Sequence, residues 1–98
     1  MPKGYWIGRV DVHDPEMYKA YIAAGSPVYS KYGGKFLVRG GAVDPLEGTS
    51  RSRNIVMEFK DVATARACYD SPEYVEARKI RQASATSDII IVESYDPA

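Results

Sequence analysis

The stretch GYWIGRVDVHDPEMYKAY, residues 4–21, joins the first strand of the chain to its first helix. Aromatic and β-branched residues dominate its first half, so a strand is predicted from about Tyr5 to Val12. Asp14 suits the N-cap of a helix and Pro15 fits the first helical position. The sequence therefore predicts an abrupt change from strand to helix at this point.

The rest of the chain continues with the same signals. Pro27 lacks a backbone donor and crowds the preceding turn, so we expect the first helix to be kinked or split in two. The other predicted elements are a strand of about seven residues over KFLVRGG, a strand from about Arg53 to Lys60, a helix capped by Asp61, a short helix from about Pro72, and a closing strand over SDIIIVESY.

The predicted order is βαββαβ, which with right-handed crossovers gives an α+β, ferredoxin-like fold with a four-stranded antiparallel sheet. A single domain over residues 1–98 accounts for the whole chain. Both faces of the terminal strands are apolar, since Tyr5 and Ile7 alternate with Trp6 and Ile90 alternates with Ile91. Helices cover one face, so we expect a second copy to cover the other, sheet against sheet, in a homodimer.

Composition and sequence pattern together disfavour several classes of function. The formal net charge is zero and the apolar fraction is 45%, which is typical of a globular domain and disfavours nucleic acid or membrane surfaces as partners. Asn54 and Val56 stand where an RNA-recognition sheet needs stacking rings. The aliphatic run Ile89–Val92 is far shorter than the roughly 20 residues of a membrane helix. With a single cysteine and no signal peptide pattern, the cytoplasm is the expected location.

The segments DVHDPEMYKAY, YGGKFLVRGG, LEG, MEFKDVATARACYDSPEY and IIIVES together resemble the domain-of-unknown-function 1330 family, over nearly the whole chain. That family belongs to the dimeric α/β-barrel superfamily, so the resemblance implies a ferredoxin-like protomer whose sheet closes a barrel with a second copy. It implies no reaction. The superfamily includes cofactor-free monooxygenases, isomerases, haem-handling enzymes and ligand-sensing regulators, so the fold alone does not select among them.

Two arginines are candidate binding residues for an anion. Arg39 ends an apolar strand, where it is expected to share a face with Leu37, and Arg9 shares one with Ile7. A guanidinium group recognises a carboxylate or phosphate with two parallel hydrogen bonds. The alternative is an ion pair inside the barrel, with Glu58 or Glu93 as the partner of Arg39, because buried charges are generally paired. The family resemblance adds interest to Arg39 without giving it a role.

Three residues are candidates for proton transfer or ligand contact. Glu58 lies on the Val56 side of its strand, and in an apolar cavity its pKa would rise toward neutrality. Glu47 matches a glutamate of the family pattern, although a solvated loop position is the alternative. His13 sits where the first strand meets the helix, so it is a candidate base, and a surface position is again the alternative. One histidine without a cysteine pair does not indicate a metal site.

Tyrosine is unusually frequent, with eight copies. Tyr69 and Tyr74 flank DSPE and match family positions, so both are candidate ligand contacts. The tyrosines of the first helix more often indicate packing against a sheet. Cys68 is expected to be a small core residue rather than a reactive thiolate.

The resulting expectation is a homodimer that binds a small anionic organic compound, with Arg39 as its anchor. Extended to catalysis, this is a cofactor-free oxygenase-like or isomerase-like enzyme in which Glu58 or His13 moves a proton. The alternative is a non-catalytic interaction or ligand-sensing module.

Overall fold

The computed structural model describes residues 2–95, which form four strands and three helices. In chain order these are β1 (Gly4–Val12), α1 (Pro15–Lys31), β2 (Lys35–Arg39), β3 (Arg53–Phe59), α2 (Val62–Asp70), α3 (Pro72–Ser84) and β4 (Ala85–Glu93). The strands lie in the order β2-β3-β1-β4 and every neighbouring pair is antiparallel. The predicted βαββαβ ferredoxin-like fold is confirmed. In the part described, no helix is both long and apolar enough to cross a membrane.

The helix starts are fixed by side-chain caps that the sequence indicated. The carboxylate of Asp14 accepts a hydrogen bond from the backbone of Met17 at 3.1 Å. Asp61 does the same for Thr64 at 2.7 Å. The Ser71 hydroxyl caps α3, so the helix predicted from about Pro72 is an element of its own after α2. These contacts satisfy backbone donors that have no partner within the helix.

Three elements differ from the sequence prediction, and one of them is β4, which begins and ends two residues earlier than the predicted SDIIIVESY. The first helix is one element of 17 residues that continues through Pro27, so the two-piece alternative is wrong. Pro27 lies on the exposed side, where water can bond the carbonyl group that loses its donor, and Ser26 donates to the Ile22 carbonyl at 2.9 Å instead of capping a new helix. β2 ends two residues earlier than expected because Gly40 turns the chain with a φ of +69°.

Trp6 is the centre of the core between the sheet and the helices. It is fully buried, and its ring lies 5.1–5.6 Å from four other aromatic rings: Tyr29, Phe59, Tyr69 and Tyr74. Its indole N–H donates to the Ala65 carbonyl at 3.0 Å, which ties α2 to β1. One side chain therefore contacts residues from all three helices.

The opposite side of the sheet, here called the open face, is covered by no helix among residues 2–95. Ile7 lies at its centre between Val56 of β3 and Ile90 of β4. Ile90 and Val92 share this face of β4, and their exposed fractions are 55% and 39%, which are large for apolar residues. The open face is thus an apolar surface of the kind that usually forms an interface.

Replacing Trp6 by phenylalanine is expected to destabilise the fold by about 1–3 kcal/mol, because the buried Ala65 carbonyl loses its donor and the core loses volume. Urea unfolding at a fixed protein concentration measures this change. Leu46→Ala is the control, since Leu46 is 85% exposed and should change stability by less than about 0.5 kcal/mol. Equal unfolding midpoints for both variants would contradict the central role of Trp6.

Candidate functional site

A small cavity lies between α1 and the β2–β3 side of the sheet, and we call it the α1 cavity. Its volume is about 20 Å³, which is space for a single water molecule. The residues that define its chemistry are Tyr18, Tyr21, Tyr29, Phe36, Arg39 and Arg53. It therefore combines aromatic walls with two cationic side chains.

A β-bulge places Arg39 at this cavity. The register between β2 and β3 shifts between Phe36 and Val38, after which Arg39 pairs with Ile55 on the helix-facing side of the sheet. The predicted face shared with Leu37 is wrong, because the bulge inserts one residue into the alternation. The Arg39 guanidinium lies 4.4 Å from the centre of the Phe36 ring, a distance typical of a cation–π contact.

Arg53 enters the same cavity from the first position of β3. Its guanidinium lies 5.5 Å from the centre of the Tyr18 ring. A Cβ at Gly40 would lie 2.5 Å from Arg53 Nη1 and would displace the guanidinium, while the positive φ of +69° favours glycine at this position. The Nε atom of Arg53 is shielded from solvent and has no hydrogen-bond partner within the described residues.

The ion pair expected for Arg39 is not formed. Glu58 lies on the open face, where it accepts from Tyr5 at 3.0 Å and pairs with Lys3 at 3.4 Å. Glu93 lies on β4, at the sheet edge opposite β2. Within residues 2–95, neither Arg39 nor Arg53 has a carboxylate within salt-bridge distance. The cations at the cavity are therefore balanced by no acidic side chain of the described chain.

Three buried tyrosines form a chain of hydroxyl groups beside the cavity, which we call the hydroxyl chain. Tyr21 of α1 lies 2.7 Å from the hydroxyl of Tyr29 and 2.7 Å from that of Tyr74 on α3. Burial raises the pKa of all three above the usual value of 10.0. At neutral pH these groups are therefore uncharged hydrogen-bonding groups and not bases.

The two candidate proton-transfer residues lie away from the α1 cavity. The hydrogen bond from Tyr5 lowers the pKa of Glu58, opposite to the rise expected for an apolar cavity. His13 is exposed at the corner between β1 and α1, with Nε2 2.6 Å from the Thr86 hydroxyl oxygen. The structure does not bring either residue to Arg39.

The remaining candidates are dispersed. Arg9 lies on the open face and donates to the Thr49 carbonyl at 3.0 Å, and Glu47 is exposed in the loop before β3. Tyr69 packs on Trp6 beneath Arg78, whose guanidinium lies 4.5 Å from the ring centre. As expected, Cys68 is a buried core residue, and burial raises the pKa of its thiol to about 12.

The family model for a domain of unknown function, DUF1330, matches residues 3–95. The chain belongs to this family. No curated protein matches the sequence of this DUF1330 protein.

Solved structures share the fold of this DUF1330 protein. A protein of unknown function from Rhodopseudomonas palustris is 24% identical, with 98% of this chain and 85% of that chain covered and a TM-score of 0.81. SnoaB, a cofactor-independent oxygenase from Streptomyces nogalater, is 15% identical, with 99% and 97% covered and a TM-score of 0.66. A dimeric ferredoxin-like protein of unknown function from Thermobifida fusca is 16% identical, with 95% and 92% covered and a TM-score of 0.63. At these identities the likeness concerns the fold alone.

Sequence reasoning missed Arg53, although the strand pattern contained a signal for it. Ile55, Met57 and Phe59 are buried on the helix-facing side of β3, and Arg53 shares their alternation. A cation in register with three core residues is forced to lie against apolar or aromatic groups. The same rule applies to Arg81, which recurs at helical spacing with the buried Tyr74 and Ala77 of α3.

Alkaline pH is expected to destabilise this DUF1330 protein through the hydroxyl chain. The folded pKa values of these three tyrosines are raised, so the native state holds their protons more tightly than the unfolded chain. Their contribution to stability is complete below about pH 10, where unfolded tyrosines ionise, and is lost as the pH rises further. Tyrosinate absorbance recorded together with circular dichroism tests this expectation. Ionisation of all eight tyrosines in one step near pH 10 by a still native protein would contradict it.

Proposed function

We propose that this DUF1330 protein is a homodimer that binds a small organic anion at the α1 cavity, with the guanidinium groups of Arg39 and Arg53 as its partners. One observation carries the proposal. Two cationic side chains converge on one cavity, and within residues 2–95 neither has an acidic partner. An anion would complete the hydrogen bonding of the shielded Arg53 Nε.

Electrostatics favours an anion at this position. A guanidinium group that is removed from water loses hydration, and aromatic faces replace only part of it. A carboxylate or phosphate group accepts hydrogen bonds from two N–H groups of one arginine, so it replaces the hydrogen bonds to water that burial removes. A neutral ligand can accept hydrogen bonds but does not balance the positive charge, and this is why the proposed ligand is charged.

The size of the cavity limits which part of the ligand is enclosed. A volume of about 20 Å³ holds one water-sized group, so the charged group would enter while the body of the ligand lies outside. Arg39 is exposed and stands at the mouth, and the exposed loop over residues 40–52 follows it. The ligand body would therefore contact this loop.

The hydroxyl chain can supply a neutral donor to the same ligand. Three O–H groups make two mutual hydrogen bonds, so one proton is left without an acceptor among them. When Tyr74 donates to Tyr21 and Tyr21 donates to Tyr29, the remaining proton is on Tyr29, which lines the cavity. A bound anion favours this direction of donation.

The open face supports the homodimer. Ile7, Ile90 and Val92 form an apolar surface whose burial against a second copy removes contact with water. The Thermobifida fusca protein of the same fold is described as dimeric. In such a dimer the pair formed by Tyr5 and Glu58 would lie within the interface.

Binding, not turnover, is the function that the geometry supports. SnoaB is described as a cofactor-independent oxygenase, but at 15% identity it lends only its fold. Glu58 and His13 do not reach the α1 cavity, so a catalytic role for either requires a substrate bound on the open face or at the β1–α1 corner. The alternative, a non-catalytic interaction module, treats both arginines as structural packing against aromatic rings.

Neutralising the two arginines is expected to remove anion binding without dissolving the dimer. In calorimetric titrations with malonate, succinate and phenyl phosphate, at least one should bind the wild type. Arg39→Gln and Arg53→Gln should each weaken that binding by about tenfold or more, since a charge-assisted hydrogen bond contributes about 1.5–3 kcal/mol.

The matched control for this loss is Lys35→Gln, which removes a positive charge from the same strand on the open face. It should bind as the wild type does. Unchanged affinity in both arginine variants would disprove the proposed contacts. Lost stability without any anion response would favour the interaction module.

Placing a charge on the open face is expected to separate the dimer. Ile90→Glu would bury a carboxylate against the second sheet, so the variant should be monomeric at concentrations at which the wild type is dimeric. Sedimentation equilibrium measures this directly. Met17→Glu is the control, because Met17 is a similarly exposed apolar residue in the helix layer. A dimeric Ile90→Glu protein would show that the interface lies elsewhere.

A further inference from the structure

A second arginine-lined site lies at the opposite edge of the sheet, between α3 and the edge strand β4, and we call it the α3 groove. Its volume is about 470 Å³, within the range of sites that hold small organic molecules. The side chains that matter for its chemistry are Tyr69, Arg81, Gln82, Ala85, Ser87 and Ile89. None of these residues lines the α1 cavity.

Arg81 is the unusual member of this groove. The residue is only 4% exposed, and its Nε atom is shielded from solvent. Across residues 2–95, its guanidinium has no carboxylate within salt-bridge distance and no hydrogen-bond partner for Nε. The Tyr21 ring, 5.8 Å from the guanidinium carbon, is an aromatic neighbour and does not balance its charge. A bound anion would stabilise a buried guanidinium group that has no acidic partner.

Ser87 and Asp88 also border the groove. The Ser87 hydroxyl oxygen is likewise shielded and without a partner in the described chain. Asp88 borders the groove, but its carboxylate pairs with Arg51 at 2.7 Å. Arg81 of α3 and Ser87 of β4 therefore each bring a donor without a partner to the groove.

We propose that the α3 groove binds a monocarboxylate with an apolar body. The carboxylate accepts from the fork of Arg81 and from the hydroxyl of Ser87. The apolar body lies against Ala85 and Ile89. A single cation matches a single negative charge, so it balances a monocarboxylate better than a dianion such as phosphate.

Hexanoate is a suitable probe for this site, with 1-hexanol as a neutral molecule of the same chain length. Titration of ¹⁵N-labelled protein should move the backbone amide signals of Gln82, Ser87 and Ile89 to saturation with hexanoate and not with 1-hexanol. Arg81→Met, which keeps an unbranched side chain without the charge, should weaken hexanoate binding by about tenfold or more. Lys79→Gln removes a charge from the same helix, where Lys79 pairs with Glu76, and should leave the affinity unchanged.

Several results would overturn the proposal. These are the absence of saturable shifts with hexanoate, equal affinity in Arg81→Met, or tighter binding of inorganic phosphate than of hexanoate. If Arg81→Met does not fold, Arg81→Lys keeps the charge without the two-pronged geometry and should still weaken binding. The titration distinguishes the two sites, because the backbone amide signals of Gly40 and Ile55 report binding at the α1 cavity.

Discussion

The hydrogen-bond chain through the hydroxyl of Tyr21 is the interaction on which the helix layer depends. Tyr21 and Tyr29 belong to α1 and Tyr74 to α3, so the chain joins the two longest helices over the sheet. Their rings supply apolar area, but each hydroxyl would be costly to bury alone. Because two hydrogen bonds join the three hydroxyls, part of this cost is offset and tyrosine rings can pack inside the helix layer. The same rings are then available as faces against which cations pack.

Arginines lie on both sides of this aromatic layer. Arg39 and Arg53 stand at the β2–β3 side, and Arg81 lies at the β4 side. The formal net charge of zero conceals this arrangement, since the acidic groups that pair with cations are on the open face or at the exposed helix surfaces. A protein without overall charge therefore has local positive potential at two places on the helix-facing side of the sheet. This separation of charge underlies both proposed anion sites.

The sequence predicted the fold well because its strongest signals are local. Alternation put Trp6 and Ile7 on opposite faces without deciding which face is the core, and the residues Asp14, Asp61 and Ser71 marked the helix starts. These features depend on near neighbours along the chain, whose geometry is nearly fixed. Pro27 was misread because its effect depends on whether the freed carbonyl faces solvent, which only the tertiary structure decides.

The candidate site was harder to predict because it depends on pairing between strands. A one-residue bulge moved Arg39 to the other face, and no local pattern marks that bulge. Arg53 was overlooked, although it is in register with the core residues of β3. Glu58 and His13 were chosen for their chemistry, and the fold places them on the open face and at an exposed corner. The arginines suggested an anionic ligand, while the register between β2 and β3 decided which arginines line the α1 cavity.

A native mass spectrum of gently purified protein tests the central claim most directly, because it reports subunit number and retained ligand together. For the wild type we expect a mass of two chains plus a small acidic molecule. The variant carrying both Arg39→Gln and Arg53→Gln should remain a dimer and lose that molecule. A monomeric wild type, or the same adduct retained by the double variant, would contradict it.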